Sequence, residues 1–295
     1  MFYKLVNVYT RNFPFPQRGL KYFLKAAGWL GIANRLYKKR LHDNFYMLLN
    51  PTEHIQRQLF WYGYYEKELG DLLTKIVKPG DVFLDLGANI GYFSLLVATN
   101  SPSVKVISFE PVAGLFQNMN DNICLNNIKN ILTINAAVGE TSEEKELFIS
   151  GPDNLGMSSF HHPENYTGRK ERVKVVALDD WFKTCGLSKI DIIKLDIEGS
   201  ELAALKGMKE LLEKQKPILL VEVNPETLSM FNLKPSDIYD YLRHLNFEGF
   251  LILENGKLTH LSKDEIKQTA NVLFIHHHKL NDHEKIELLP PVINT

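Results

Sequence analysis

The chain has few cysteines, no long apolar run and almost no net charge. It contains two cysteines, Cys124 and Cys185, in 295 residues. Two cysteines are too few for a disulfide framework or a cysteine zinc site, so we expect a reducing, cytoplasmic compartment. No apolar run approaches the roughly 20 residues that a membrane-spanning helix needs. The formal net charge of −1 argues against nucleic acid as the main partner.

Positive charge is instead concentrated near the N-terminus. The first fifty residues hold nine lysines and arginines and a single acid, Asp43. Charged residues interrupt any apolar core there, which argues against a signal peptide, and segment 20–40 has the pattern of a basic amphipathic helix. We therefore expect residues 1–52 to form a basic, aromatic-rich helical arm, packed on a domain over residues 53–295. A peripheral membrane or protein contact through residues 1–50 is the alternative.

The stretch DVFLDLGANIGYFSLLVA, residues 81–98, is the most informative part of the sequence. It predicts a buried strand, a turn with glycines and a helix, which form the first half of a nucleotide-type binding unit. The glycine triplet of a dinucleotide fingerprint is missing, and Asp85 ends the strand before Gly87 and Gly91. A carboxylate at this point would repel a pyrophosphate. It suits a ligand with an ammonium group, such as S-adenosylmethionine.

The next strand also ends in a carboxylate. The stretch VKVISFEP predicts an apolar strand that ends in Glu110, about one βα unit after the first turn. In doubly wound sheets a carboxylate at this point accepts hydrogen bonds from a ribose diol. Asp85 and Glu110 together therefore favour a nucleoside that has a free ribose and a cationic tail.

Two later strands bring further acids to the same edge of the predicted sheet. The strand IDIIKLDI ends at Asp196, with Glu198 close behind it, and the strand PILLVEVN contains Glu222 near its end. Because like charges are costly to bury together, we expect a cationic or hydroxyl-rich ligand between these acids. A Mg²⁺ ion held by the three acids is a less favoured alternative. Lys194 is interpreted as a salt-bridge partner at the strand edge.

Strand-like and helix-like segments alternate along most of the chain. Besides the four strands above, the pattern predicts strands at 131–137, 145–150, 172–178, 249–255 and 271–277. It predicts helices at about 54–77, 112–125, 200–214 and 235–246. This alternation indicates an α/β fold with a mostly parallel sheet that is covered on both faces. A loop of about twenty residues, at about 150–171, is long enough to indicate a functional insertion.

Six motifs resemble, in order, those of the FkbM-type methyltransferases, a class I family that uses S-adenosylmethionine. They are LDLGANIGYFS, SFEP, AAVGE, VVALDDW, IKLDIEGSE and LVEVNP. The similarity extends from about residue 64 to residue 223. It implies a Rossmann-like fold with a mostly parallel seven-stranded sheet, an antiparallel last strand and helices on both faces. It also implies O-methylation of a hydroxyl on a sugar, glycan or secondary metabolite.

The resemblance further implies which residues bind the cofactor. The turn after the first strand would line the methionine part, Glu110 the ribose and Ala137 the adenine. Tyr65 and Glu66 resemble an upstream motif that closes over the cofactor. The full set of expected cofactor residues is Glu66, Asp85, Gly87, Ala88, Asn89, Gly91, Glu110, Pro111, Ala137 and Asp196.

Methyl transfer to an alcohol needs a group that takes or orients the hydroxyl proton, and such a base accelerates a reaction by ~10²–10⁴-fold. We expect Asp196 or Glu198 to be this catalytic residue, with His161 or His162 of the insertion loop as the second candidate. Four further residues of that loop are candidates for binding acceptor hydroxyls: Asn154, Gly156, Ser158 and Ser159. The expected partner is a small-molecule or glycan acceptor.

Three other function classes remain open at this point. A methyltransferase that acts on amino groups of nucleic acid is disfavoured, because it would have an Asn-Pro-Pro-type turn where residues 196–199 are Asp-Ile-Glu-Gly. A nicotinamide-dependent oxidoreductase is disfavoured by the missing glycine triplet and by the acid at Asp85. A catalytically inactive binding protein with the same fold is disfavoured because it would have no need of the cofactor acids.

Overall fold

The computed structural model describes residues 35–41, 45–162 and 166–280, and a short strand at 292–293. The strands are β1 (Tyr37–Leu41), β2 (Phe45–Leu49), β3 (Val82–Leu86), β4 (Lys105–Phe109), β5 (Ile131–Ile134), β6 (Ala137–Val138), β7 (Glu143–Phe148), β8 (Lys170–Val176), β9 (Ile192–Leu195), β10 (Ile218–Val223), β11 (Phe247–Ile252), β12 (Leu258–His260), β13 (Ala270–His276) and β14 (Val292–Ile293). The helices are α1 (His54–Tyr62), α2 (Lys67–Ile76), α3 (Tyr92–Asn100), α4 (Ala113–Leu125), α5 (Leu178–Thr184), α6 (Glu201–Lys206), α7 (Lys209–Gln215), α8 (Pro225–Met230), α9 (Pro235–His244) and α10 (His277–Leu280). None of the helices in these described ranges is long and apolar enough to cross a membrane.

The main sheet has the strand order β14-β12-β11-β13-β10-β9-β3-β4-β5. Strands β5, β4, β3, β9 and β10 run parallel to one another, and β13 runs antiparallel to both of its neighbours. The predicted parallel sheet with an antiparallel last strand is therefore confirmed. The predicted number of seven strands is exceeded, because the short strands β12 and β14 extend the edge beyond β11.

Helices cover both faces of this sheet because its central strands are apolar on both sides. Every residue of β3 and of β9 is buried. Alternate residues of β3 enter different cores: Phe83 packs into one apolar cluster and Leu84 into the other. This arrangement is typical of a parallel sheet between two helical layers, in which successive side chains point to opposite faces.

The first described element is a hairpin and not part of a helix. Tyr37 pairs with Leu49 and Leu41 with Phe45, and Leu41, Phe45 and Leu49 are fully buried in the same core as Phe83. The prediction of a helix over segment 20–40 is wrong for its last residues, which belong to β1. Exposed and less exposed residues alternate along Tyr37–Leu41, as in a half-buried strand. Residues 1–34, which hold the rest of the predicted arm, lie outside the described residues.

Three predicted elements are divided in the structure. The helix expected at 54–77 is broken after α1 by Gly63, which ends that helix with a left-handed φ of 85°. The helix expected at 200–214 is broken at Gly207, where a Cβ atom would lie 2.0 Å from the carbonyl oxygen of Gly139. The strand expected at 131–137 ends at Ile134, and Ala137 begins a strand of a separate three-stranded sheet with the order β6-β8-β7.

Two asparagines of α4 fasten the hairpin to the main domain. The Asn122 side chain accepts a hydrogen bond from the Leu48 N–H (2.8 Å) and donates one to the Ile90 carbonyl (3.1 Å). The Asn126 side chain accepts from the Tyr46 N–H and donates to the Tyr46 carbonyl, both at 2.6 Å. Asn122 is fully buried. It therefore links the hairpin to the turn that follows β3.

We expect Asn122→Ala to lower the free energy of unfolding by about 2–3 kcal/mol, because it leaves two buried backbone groups without partners. Asn118→Ala, on the same helix at a partly exposed position, is the matched control and should change this free energy by less than about 0.5 kcal/mol. Urea unfolding of both variants measures the difference. Equal losses in the two variants would contradict the assigned role of Asn122.

Candidate functional site

The turn after β3 approaches the end of β9 so closely that it requires glycine. Gly87 has a φ of 82°, and a Cβ atom on it would lie 1.9 Å from the carbonyl oxygen of Asp196. Asn89 also has a left-handed φ, of 52°, and its side-chain oxygen accepts a hydrogen bond from the Ile90 N–H (2.8 Å). Left-handed residues other than glycine are strained and cluster at functional sites. The turn is thus held in one shape against the neighbouring strand.

Glu110, directly after β4, supports this turn from the side. One of its carboxylate oxygens accepts from the Asn89 N–H (2.8 Å), and the other accepts from the Val112 N–H (2.9 Å). Burial raises the pKa of Glu110 to about 7, although these backbone hydrogen bonds act in the opposite direction. Each carboxylate oxygen keeps a further lone pair that can accept a bond from a ligand hydroxyl.

A single cavity lies beyond the carboxyl ends of β3, β4 and β9. Its empty volume, including the part that is open to solvent, is about 980 Å³. One wall is formed by six of the predicted cofactor residues: Gly87, Ala88, Asn89, Glu110, Pro111 and Ala137. The lining also contains Tyr65 and three acids, Asp196, Glu198 and Glu222, which form what we call the acidic wall. The structure therefore brings together most of the residues that the sequence predicts for the site.

Three predicted cofactor residues do not line this cavity. Asp85 is completely buried, with one carboxylate oxygen bonded to the Ser94 hydroxyl and the other without a hydrogen-bond partner. Gly91 faces the side chain of Met119, and Glu66 accepts a hydrogen bond from the Asn271 amide (3.1 Å) and lines a neighbouring groove. The side chain of Asp85 therefore lies inside the fold and that of Glu66 borders another surface, while Gly91 packs against α4.

A buried ion pair lies at the centre of the acidic wall. The Lys194 ammonium is 2.9 Å from a carboxylate oxygen of Asp196 and 4.9 Å from the centre of the Phe93 ring, and its side chain is only 3% exposed. Burial acts to lower the pKa of Lys194, but the charges of Asp196, Asp85 and Glu66 outweigh it and raise that pKa. The sequence predicted Lys194 as a salt-bridge partner at a strand edge. In the structure its partner is Asp196, and β9 is the fourth strand of the sheet when counted from the edge at β5.

The carboxyl groups around Lys194 outnumber its single positive charge. The charge of Asp196 and burial raise the pKa of Glu222 to about 10, and burial with the same charge raises that of Glu198 to about 8. Burial and Asp196 also raise the pKa of Glu66. Protonation is how the fold accommodates this excess of acid without a ligand. A cationic ligand in the cavity would relieve the same repulsion.

Among the residues that the structure describes, no group of three or more histidine, cysteine, aspartate or glutamate side chains is arranged to hold a metal ion. The alternative of Mg²⁺ on Asp196, Glu198 and Glu222 therefore has no geometric support.

The insertion loop covers one side of the cavity. Its Asp153 carbonyl accepts from the His54 N–H (2.8 Å), and Ser159 pairs with Phe148 through two backbone hydrogen bonds of 3.0 and 3.1 Å. Gly156, Ser158 and Ser159 line the cavity as expected, but Asn154 does not. His161 and His162 lie outside it, in an adjoining pocket. Phe160 also lines the cavity, and no signal in the sequence distinguished this ring from other loop residues.

Comparison with known proteins agrees with this geometry. Residues 85–248 match the Methyltransferase FkbM domain family, and this range covers more than half of the 295-residue chain. The chain is 28% identical over 162 residues to the 31-O-demethyl-FK506 methyltransferase FkbM of Streptomyces tacrolimicus. This alignment covers 45% of this chain and 62% of the relative.

Two further curated relatives match a larger part of their own length. The 2-O-methyltransferase NoeI of Sinorhizobium fredii is 25% identical over 214 residues, 63% of this chain and 84% of that protein. The hexuronic acid methyltransferase AglP of Haloferax volcanii is 23% identical over 200 residues, 68% of this chain and 74% of that protein. For two other relatives the chain matches less than two thirds of their own length, 62% for FkbM and 11% for a much longer protein. The match over residues 85–248 shows that this chain belongs to the FkbM methyltransferase family.

Proposed function

We propose that this protein transfers a methyl group from S-adenosylmethionine to a hydroxyl of a sugar, glycan or secondary metabolite. The observation that carries the proposal is Glu110, whose buried carboxyl borders the same cavity as the Gly87 turn and the acidic wall. The names of the relatives support the acceptor class, since they describe methyltransferases of 31-O-demethyl-FK506, of a 2-O position and of a hexuronic acid.

The residues present fit this cofactor. The turn residues Gly87 and Ala88 line the cavity, while Glu110 offers oxygens that accept bonds from the ribose hydroxyls. Ala137 lies on the wall that would face the adenine. The surplus of carboxyl groups beside Lys194 would hold the ammonium group. When bound, S-adenosylmethionine supplies a methyl group activated by a positively charged sulfur.

Asp196 is the best-placed group to take or orient the hydroxyl proton of the acceptor. One of its carboxylate oxygens is fixed by Lys194 at 2.9 Å, and the residue borders the cavity. The other oxygen is available for a hydroxyl group, which is the arrangement that a positioned general base needs. Glu198 borders the same cavity, but its raised pKa of about 8 keeps it largely protonated at neutral pH. We therefore assign the base to Asp196 and a positioning role to Glu198.

Ligand binding can be checked by thermal unfolding with S-adenosylmethionine, S-adenosylhomocysteine or NAD. A ligand at about a hundred times its Kd stabilises the native state by roughly 2.7 kcal/mol. We expect both adenosyl compounds to raise the Tm by several degrees and NAD to leave it unchanged. Glu110→Ala should lose this shift, because the ribose acceptor is gone, and Glu213→Ala on the exposed face of α7 should keep it. The cofactor assignment is wrong if neither adenosyl compound stabilises the protein.

The acidic wall also predicts how stability depends on pH. The carboxyl of Glu198 has an ordinary pKa of 4.5 and a folded-state pKa of about 8. Between these values the native state binds a proton that the unfolded state does not, so stability falls as pH rises. Without ligand, the free energy of unfolding should therefore decrease less steeply in Glu198→Gln than in the wild type between pH 5 and pH 8. We expect the two slopes to differ by up to about 1.4 kcal/mol per pH unit.

Urea unfolding at several pH values measures this slope for the wild type, Glu198→Gln and Glu213→Gln. The control residue Glu213 is half exposed, so its replacement should leave the slope as in the wild type. A slope that is the same in all three proteins would show that Glu198 is ionised in the folded state at pH 7, against the assignment.

The role of Asp196 can be separated from cofactor binding. Asp196→Asn should lower methyl transfer by ~10²–10⁴-fold, the usual contribution of a general base, while the Tm shift with S-adenosylhomocysteine persists. Transfer is measured with labelled S-adenosylmethionine and a panel of methyl glycosides as acceptors. Asp121→Asn, on the exposed side of α4, is the matched control. Full activity of Asp196→Asn would exclude it as the base, and loss of the Tm shift would make it a cofactor ligand instead.

A further inference from the structure

A second pocket adjoins the cofactor cavity on the other side of the insertion loop. Its empty volume is about 540 Å³ where the part open to solvent is included. Ser159 and Glu198 line both spaces, and the Ser159 hydroxyl donates a hydrogen bond to the Glu198 carbonyl (3.1 Å). The two spaces therefore meet at the side chain of Glu198, next to the proposed base.

One wall of this second pocket is a fixed group of rings. The ring centres of Phe148 and His162 lie 3.8 Å apart, and the Tyr166 ring meets Phe148 edge-on at 5.2 Å. The Tyr166 hydroxyl donates to the carbonyls of Arg169 (2.7 Å) and Ile149, which holds this ring in place. A rigid aromatic wall of this kind supplies contact area without a large loss of side-chain entropy on binding.

The opposite wall comes from α8, which reaches the site because Gly199 follows Glu198. Gly199 has a φ of 95°, and a Cβ atom on it would lie 2.7 Å from both the Thr227 carbonyl oxygen and the Phe231 ring. The helix can therefore pack directly against this turn, which places Thr227 and Met230 on the pocket wall. The same turn places Glu198 in the lining of the pocket, beside the residues of α8.

The lining of the pocket combines apolar surface with many hydrogen-bonding groups. Phe148, Met157 and Met230 are apolar, whereas hydroxyl, imidazole and carboxyl groups come from Ser150, Ser159, His161, His162, Thr227 and Glu198. A phenol offers only one hydroxyl to this set of polar groups. A saturated ring with an apolar face and several hydroxyls satisfies both kinds of surface.

We propose that this second pocket binds the methyl acceptor as a single hydroxylated six-membered ring of the sugar type. The ring packs its apolar face against Phe148 and Met230, and one hydroxyl passes beside Ser159 and Glu198 into the cofactor cavity. Phe148, Met157 and Met230 are then the residues that determine acceptor specificity. This inference rests on the proposed methyltransferase function, since it concerns the second substrate of the same site.

Saturation-transfer NMR in the presence of S-adenosylhomocysteine tests the proposal. The probes are the methyl glycosides of a hexose, a deoxyhexose and a hexuronic acid, with catechol as the phenolic comparison. Met230→Trp and Met157→Trp each fill the pocket from a partly exposed position, and Leu132→Trp on β5 introduces the same ring at an exposed position outside it. The Tm shift with S-adenosylhomocysteine shows in every variant whether the fold and the cofactor cavity are intact.

We expect at least one glycoside to bind the wild type and Leu132→Trp, and to bind the two pocket variants about tenfold more weakly or not at all. Unchanged glycoside binding in both pocket variants would overturn the location. Binding of catechol but of no glycoside, or of neither, would overturn the acceptor class while the Tm shift still supports the methyltransferase function. Absence of that shift in the wild type would overturn the proposed function itself, and this inference with it.

Discussion

The site is organised around the buried ammonium group of Lys194, whose one positive charge is surrounded by five carboxyl groups. They belong to Glu66, Asp85, Asp196, Glu198 and Glu222. Lys194 lies on β9 opposite Asp85 of β3 in the parallel register, and both strands are fully buried. A charge at such a position must be paired, since an uncompensated buried ion costs several kcal/mol. Its ion pair with Asp196 meets this need, and protonation of Glu198 and Glu222 absorbs the remaining acid.

Close backbone contacts at glycines give the site its shape around that charge cluster. Gly87 allows the turn after β3 to touch the carbonyl of Asp196, and Gly199 allows α8 to touch the turn after β9. A side chain at either glycine would push apart two elements that border the cavity or the second pocket. Polar contacts then complete the enclosure: Glu110 holds the Asn89 turn, and Ser159 holds the insertion loop against Glu198.

The central strands and one side of the site could be predicted from the sequence. β3, β4, β9 and β10 are mostly apolar, and strands of this kind are buried on both faces in a parallel sheet. Because the carboxyl ends of parallel strands meet at one edge, the placement of Glu110 beside the Gly87 turn followed directly. Contacts between distant segments could not be predicted in this way. The hairpin at Tyr37–Leu49 depends on Asn122 and Asn126 of α4, more than seventy residues away, and no local pattern records that partnership.

By itself, the sequence determined the α/β class, the mostly parallel sheet and the presence of acids at one edge of it, because these properties follow from local periodicity and from the direction of parallel strands. Only the tertiary structure decided which of those acids border the cavity. It buried Asp85 beneath the turn, directed Glu66 to a neighbouring groove and left Glu110, Asp196 and Glu198 on the cavity wall. It also created the second pocket, whose walls come from the insertion loop, β7 and α8. The physical reason is that side-chain direction depends on the packing of segments far apart in the chain, which residue spacing alone does not specify.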